Sequence, residues 1–123
     1  MQGGEDTPVN IQIFGKAKCF DTKKAERFFK ERGIKYQYID LKQKGMSKGE
    51  LESVISAAGG LDAVIDDKNK SQDAVLLKYL SSDDAKKEKL LENGTLIKTP
   101  VVRNGRKAAV GYKPDVWEKW TKE

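Results

Sequence analysis

Two short apolar strands on either side of one amphipathic helix, all within the first 40 residues, restrict most strongly how this chain can fold. From Val9 to Phe14, Ile11 and Ile13 alternate with Gln12, and Gly15 closes the run; this is a strand pattern. The loop Lys16-Ala17-Lys18-Cys19 follows. The spacing then predicts a helix from about Phe20 to Arg32, with Ala25, Phe28 and Phe29 on one face and Gly33 as its stop. Lys35 to Asp40 reads as a second, aromatic-rich strand. A helix between two neighbouring strands returns the chain to the end where it began, so the strands are expected to be parallel.

Helices are expected through the middle of the chain. Ser47-Lys48-Gly49-Glu50 is a capping box. It opens a helix carrying Leu51, Val54 and Ile55, which Gly59-Gly60 ends. Leu61 to Ile65 fits one helical turn. Gln72 to Leu80 fits a helix with Val75, Leu76 and Tyr79 on its apolar face, and Ser82 to Asn93 fits another, stopped at Gly94. Thr99 to Arg103 reads as a strand and Arg106 to Val110 as its return. Between them Asn104-Gly105 is a two-residue hairpin signal, because a type I′ turn needs positive φ at both centres. Pro114 to Lys122 is the last helix, with Val116, Trp117 and Trp120 as its apolar side. Residues 1–8 are polar and acidic, without the basic start or apolar segment of a secretory signal, and read as a flexible tail. Residues 9–123 read as one domain. The order is β-α-β, a helical insertion, a β-hairpin and a C-terminal helix: an α/β chain on a thioredoxin-like plan.

Composition removes several function classes. The chain has one cysteine and no histidine. An internal disulfide, a Cys–His or Ser–His–Asp catalytic arrangement and a Cys/His zinc site are therefore all excluded. Neither a metal site nor a tightly bound cofactor is expected, and the adjacent Asp66-Asp67 reads as a loop. A lone free cysteine points to a reducing compartment, the cytoplasm. No apolar run approaches the roughly 18 residues of a membrane helix. The formal net charge is +5, but basic residues are interleaved with acidic ones. This makes a solvated lysine-rich surface or a contact for an anionic partner, and no direct nucleic-acid binding is expected.

Cys19 carries the chemistry. It follows a strand and a short loop and opens a helix, where free N–H groups and the helix dipole favour a thiolate. Lys16, Lys18, Lys23 and Lys24 add positive potential nearby. A thiolate there is a nucleophile and a redox group, and the same amides suit an oxyanion. Asp21 and Thr22 are placed to cap the helix or to hydrogen-bond the sulfur.

The run Ile11-Gln12-Ile13-Phe14-Gly15-Lys16-Ala17-Lys18-Cys19, continuing through Asp21-Thr22-Lys23-Lys24-Ala25, resembles the opening of arsenate reductase (ArsC)-type and Spx-type proteins. Thr99-Pro100-Val101-Val102-Arg103-Asn104-Gly105 is similar to their later strand pair, and Ala109-Val110-Gly111-Tyr112 with Pro114 and Trp117 to the lead-in of their last helix. The resemblance implies a thioredoxin-like fold with Pro100 as a cis-proline facing Cys19. It implies a cysteine that attacks arsenate, with glutathione, helped by a glutaredoxin, releasing the product. It also implies oxyanion-binding arginines, where this chain has Thr99 just before the proline, Lys68 within Asp66-Asp67-Lys68, and Lys113 beside Tyr112. Lysine makes no bidentate fork contact. The CxxC switch of Spx-type regulators is replaced by Cys19 with Thr22.

The residues expected at the site are thus catalytic Cys19, with Lys18, Thr22, Lys23, Lys68, Thr99, Pro100, Arg103 and Lys113 binding an oxyanion or thiol. The expected activity is that of a monothiol oxidoreductase using glutathione or a similar external thiol as co-substrate. The alternative is an Spx-like regulator contacting RNA polymerase without catalysis.

Overall fold

The computed structural model describes residues 10–122. The expected tail at residues 1–8 and strand start at Val9 lie outside the described residues. The elements are β1 (Ile11–Gly15), α1 (Phe20–Glu31), β2 (Tyr36–Asp40), α2 (Lys48–Ala58), α3 (Gln72–Lys78), α4 (Asp83–Glu92), β3 (Val101–Asn104), β4 (Lys107–Val110) and α5 (Pro114–Lys122). Single 3₁₀ turns lie at Asp62–Val64 and Gly94–Leu96. The sheet order is β2-β1-β3-β4. β1 and β2 are parallel, as the short α1 crossover requires, and the other two pairings are antiparallel.

Strand alternation divides the molecule into two cores. Ile11 and Ile13 of β1 face one way, into a cluster with Ala25, Phe28, Phe29, Val102, Trp117 and Trp120. Phe14 faces the other way, into a cluster with Ile39, Leu51, Val54, Leu77, Leu90, Leu96 and Val101. α1 and α5 thus cover one face, and the α2–α4 insertion covers the other. In the first core Trp117 is fully buried, with Phe28, Phe29 and Tyr112 rings 5.3, 5.6 and 5.5 Å from its own. The expected stripe of α5 is the observed one.

The capping box at Ser47 is formed in both directions, and Gly59 ends α2 in the left-handed region at φ 89°. Two expectations need correction. On α3 the residues expected to pack, Val75, Leu76 and Tyr79, are 46%, 47% and 80% exposed, whereas Ala74 and Leu77 are buried. The segment carries two apolar stripes on opposite sides. The Ser71 cap and the hydrogen bond from Asn93 to Asp73 turn the smaller stripe inward. In the hairpin, Asn104 pairs with Lys107 inside the ladder, so the turn centres on Gly105-Arg106, one residue later than expected. Gly105, at φ 63°, takes the left-handed position there.

Gly94 lies past the end of α4 at a close approach: a Cβ there would sit 2.7 Å from the carbonyl oxygen of Leu41. Tyr36 leans on the aromatic core and donates its hydroxyl to Glu26 at 2.9 Å. Burial, that hydrogen bond and the Glu26 charge together push its phenol up to about 12.

Two outcomes are expected. Trp117→Ala, by emptying the centre of the aromatic core, lowers unfolding stability by about 3–5 kcal/mol in a urea titration. The Tyr36 pKa is raised on folding, so its contribution to stability is present below the ordinary 10.0 and is lost as pH rises through about 12. A phenolate absorbance titration of the folded protein therefore shows a late phase near pH 12 that Tyr36→Phe removes.

Candidate functional site

The loop between β1 and α1 sets the site. The Cys19 amide donates to the Lys16 carbonyl at 3.1 Å, and the Cys19 carbonyl accepts the first helical hydrogen bond, from Lys23 at 3.3 Å. Cys19 is thus the N-cap of α1, in extended conformation at φ −88° and ψ 116°. Its sulfur occupies the place of a capping oxygen. It also faces the chain before β3. The thiol donates to the Thr99 carbonyl at 3.7 Å, and the Thr99–Pro100 peptide is cis, as the resemblance implies.

The site favours ionisation. Burial pushes the Cys19 thiol up, but the hydroxyls of Thr22 and Thr99 and the amides of Thr22 and Asp21 outweigh it, holding the thiol below the ordinary 9.0. The neutral thiol receives no cap hydrogen bond of good geometry. The Thr22 hydroxyl, on a side chain 1% exposed, likewise has no partner at that stage. A thiolate accepts from it, so ionising Cys19 relieves a buried unpaired hydroxyl. Gly15 makes this geometry possible: a Cβ there would collide with Thr22 Cγ2 and lie 2.9 Å from Oγ1.

Cys19 opens into a cleft of about 820 Å³. Five lysines line it, Lys16, Lys18, Lys68, Lys98 and Lys113, with three aspartates, Asp21, Asp66 and Asp67. No arginine is among its described lining residues. Phe20, which is 81% exposed, and Tyr112 supply an apolar rim. Lys16 is not free, because its Nζ lies 2.9 Å from Asp66 Oδ2 with both side chains about four-fifths buried.

The fold thus brings Lys18, Cys19, Lys68, Thr99 and Lys113 together from four separate stretches of chain, with Thr22 beneath the sulfur and Pro100 buried behind Thr99. Two expected site residues are not brought there. Lys23 is exposed on α1 outside the cleft lining. Arg103 lies two rungs down the β1–β3 ladder from the Phe14–Val101 pair, held by Gln12 Oε1 at 2.9 Å and Glu50 at 3.7 Å. The strand period points its side chain away from the cysteine loop. Lys98 and the Lys16–Asp66 ion pair were not anticipated. Adjacency to Thr99 was the available signal for Lys98; a contact across 50 residues had none. Among the described residues no group of His, Cys, Asp and Glu is arranged to hold a metal ion, and no helix is long and apolar enough to cross a membrane.

The thioredoxin-like arrangement, with a cysteine at the first helix N-terminus facing a cis-proline loop, defines the class. Within that class the chain belongs to the ArsC family, whose model matches residues 14–120. It is 28% identical over 114 residues to YusI of Bacillus subtilis, covering 89% of this chain and 97% of that protein. It is also 28% identical over 112 residues to the global transcriptional regulator Spx 2 of Oceanobacillus iheyensis, covering 87% and 80%. An arsenate reductase structure from Vibrio cholerae shares the fold, with a TM-score of 0.77 at 22% identity over 92% of this chain and 98% of that one.

Packing against Thr22 yields an expected outcome. Gly15→Ala displaces the Thr22 side chain, and Thr22→Val deletes its hydroxyl. Each variant moves the midpoint of Cys19 alkylation upward, toward 9.0, relative to the unsubstituted protein when rate is followed against pH.

Proposed function

We propose that this ArsC-family protein is a monothiol oxidoreductase in which Cys19 is the nucleophile and an external thiol completes the cycle. The observation that carries the reading is the placement of the chain's single cysteine. It caps α1 with donors around its sulfur and opens into a lysine-lined cleft. A helix N-terminus and neighbouring hydroxyls stabilise a thiolate, and a thiolate attacks a disulfide sulfur in line. The Cys19 sulfur forms a new S–S bond to one half of the substrate disulfide, and the other half leaves as a thiolate. A second thiol, glutathione or a similar compound, then attacks the substrate-side sulfur of that mixed disulfide, and Cys19 departs as the thiolate. The second thiol must come from outside, because the chain has no other cysteine.

Lysines in the cleft favour anionic substrates, among them a glutathione adduct with its carboxylates, or an oxyanion. They act as point charges without the bidentate geometry that arginine presents to carboxylates and oxyanions alike. In this reading Lys18, Lys68, Lys98 and Lys113 hold the anion, Thr99 and Pro100 form the facing wall, and a glutaredoxin is a candidate second-step reductant.

A second reading, a regulator that binds RNA polymerase, draws support from the likeness to Spx 2. The two separate at Cys19→Ala, which abolishes thiol chemistry and leaves protein binding intact.

The test is the pH dependence of iodoacetamide alkylation. Since one cysteine reports one site, Cys19→Ser serves as blank. A midpoint below 9.0, with glutathione-dependent reduction of a mixed disulfide that Cys19→Ser loses entirely, is the expected result. A midpoint at or above 9.0 overturns the nucleophile reading. Because folding lowers this pKa, the thiolate's contribution to stability is present above 9.0 and is lost as pH falls through the lowered value.

A further inference from the structure

Asp66 links the cysteine loop to the far wall of the cleft. One carboxylate oxygen, Oδ2, lies 2.9 Å from Lys16 Nζ on the cysteine loop. The other, Oδ1, accepts the backbone N–H of Lys68 at 3.0 Å, an Asx-type turn within its own loop. Its backbone is tied to the chain before the cis-proline. The Asp66 amide donates to the Leu96 carbonyl at 2.9 Å, and the Lys98 amide to the Val64 carbonyl at 2.7 Å, on either side of an Ile65–Ile97 bridge. Asp66 therefore joins three parts of the cleft: its carboxylate engages the Cys19 loop and its own Lys68 loop, and its backbone amide the approach to β3. Burial of the Lys16–Asp66 pair to about four-fifths limits its exchange with water, unlike an exposed ion pair that contributes little.

We propose that Asp66 is a positioning residue of the Cys19 cleft, holding the Lys68 backbone at its mouth and engaging Lys16, so that Lys68 is placed beside Lys18, Lys98 and Lys113 to meet an incoming anion. This inference rests on Cys19 being the reacting group, and not on which disulfide or oxyanion it meets. Removing Asp66 frees the Lys16 ammonium and the Lys68 backbone at once. Lys16 gains freedom it did not have, and the Lys68 loop loses the acceptor that holds its backbone.

The experiment uses two small alkylating reagents of different charge on the full chain. Iodoacetate is anionic and iodoacetamide neutral, and both react with the same thiolate. The ratio of their rate constants therefore cancels the ionised fraction and reports the field an anion meets at the sulfur. In the unsubstituted protein, Lys68→Ala is expected to lower the ratio about threefold, the scale of one unit charge acting through a water-like dielectric over a few ångströms. The pair is then removed at unchanged formal charge, as Lys16→Met with Asp66→Ala, and Lys68→Ala is added in that background. The expected result is that Lys68→Ala now leaves the ratio nearly unchanged, a coupling read as a double-mutant cycle.

An equal factor in both backgrounds would show that Lys68 needs no support from Asp66 and overturns the proposal. Lys68 has an exposed side chain, so its variant folds whatever becomes of the Asp66 variant. If Lys68→Ala alone leaves the ratio unchanged, the proposal is overturned without the second background. The alkylation midpoint of the unsubstituted protein is a separate number. A midpoint at 9.0 or above would sink the nucleophile reading, while the ratio and its coupling stay measurable at higher pH.

Discussion

β1 is the strand on which everything else leans, because it is buried from both faces and paired on both edges. Ile11 and Ile13 close the aromatic core beneath α1 and α5, and Phe14 closes the core beneath the insertion. Parallel β2 lies along one edge and antiparallel β3 along the other. Its last residue, Gly15, has no side chain, so α1 approaches close enough for Thr22 to pack on the backbone. The cysteine loop leaves from that point, and its geometry is fixed by the most constrained strand in the sheet.

Most of the fold was legible in the sequence, because strong local signals agreed with the tertiary outcome. The Ile-Gln-Ile alternation, the Ser47 capping box, Pro114 and the two tryptophans each placed an element with little error. Local signals failed where two readings were equally good locally. α3 has apolar residues on both sides, and only contact with the rest of the insertion decides which side turns inward. Asn104-Gly105 marks a hairpin but leaves a one-residue choice of register, which the pairing of Asn104 with Lys107 decides.

The site was legible to a lesser degree. A lone cysteine after a strand and before a helix is a local pattern, and so is the proline that faces it. Which lysines surround them is a matter of long-range packing. Lys23 is near Cys19 in sequence and outside its cleft in space, whereas Lys98 and Asp66 are distant in sequence and line it. Arg103 shows the same limit for a strand. It follows the proline by only three residues, yet its side chain is engaged by Gln12 and Glu50 further down the ladder.

The two cores share the sheet and little else, and the site is divided between them. The cysteine rides on a helix rooted in the aromatic core, while Lys68 and Asp66 belong to the insertion across the sheet. The sulfur and the Asp66–Lys68 wall of its cleft therefore belong to separately packed halves. The Lys16–Asp66 pair is a bond between the halves, a hinge pin through which a change in the insertion is felt at the cysteine loop.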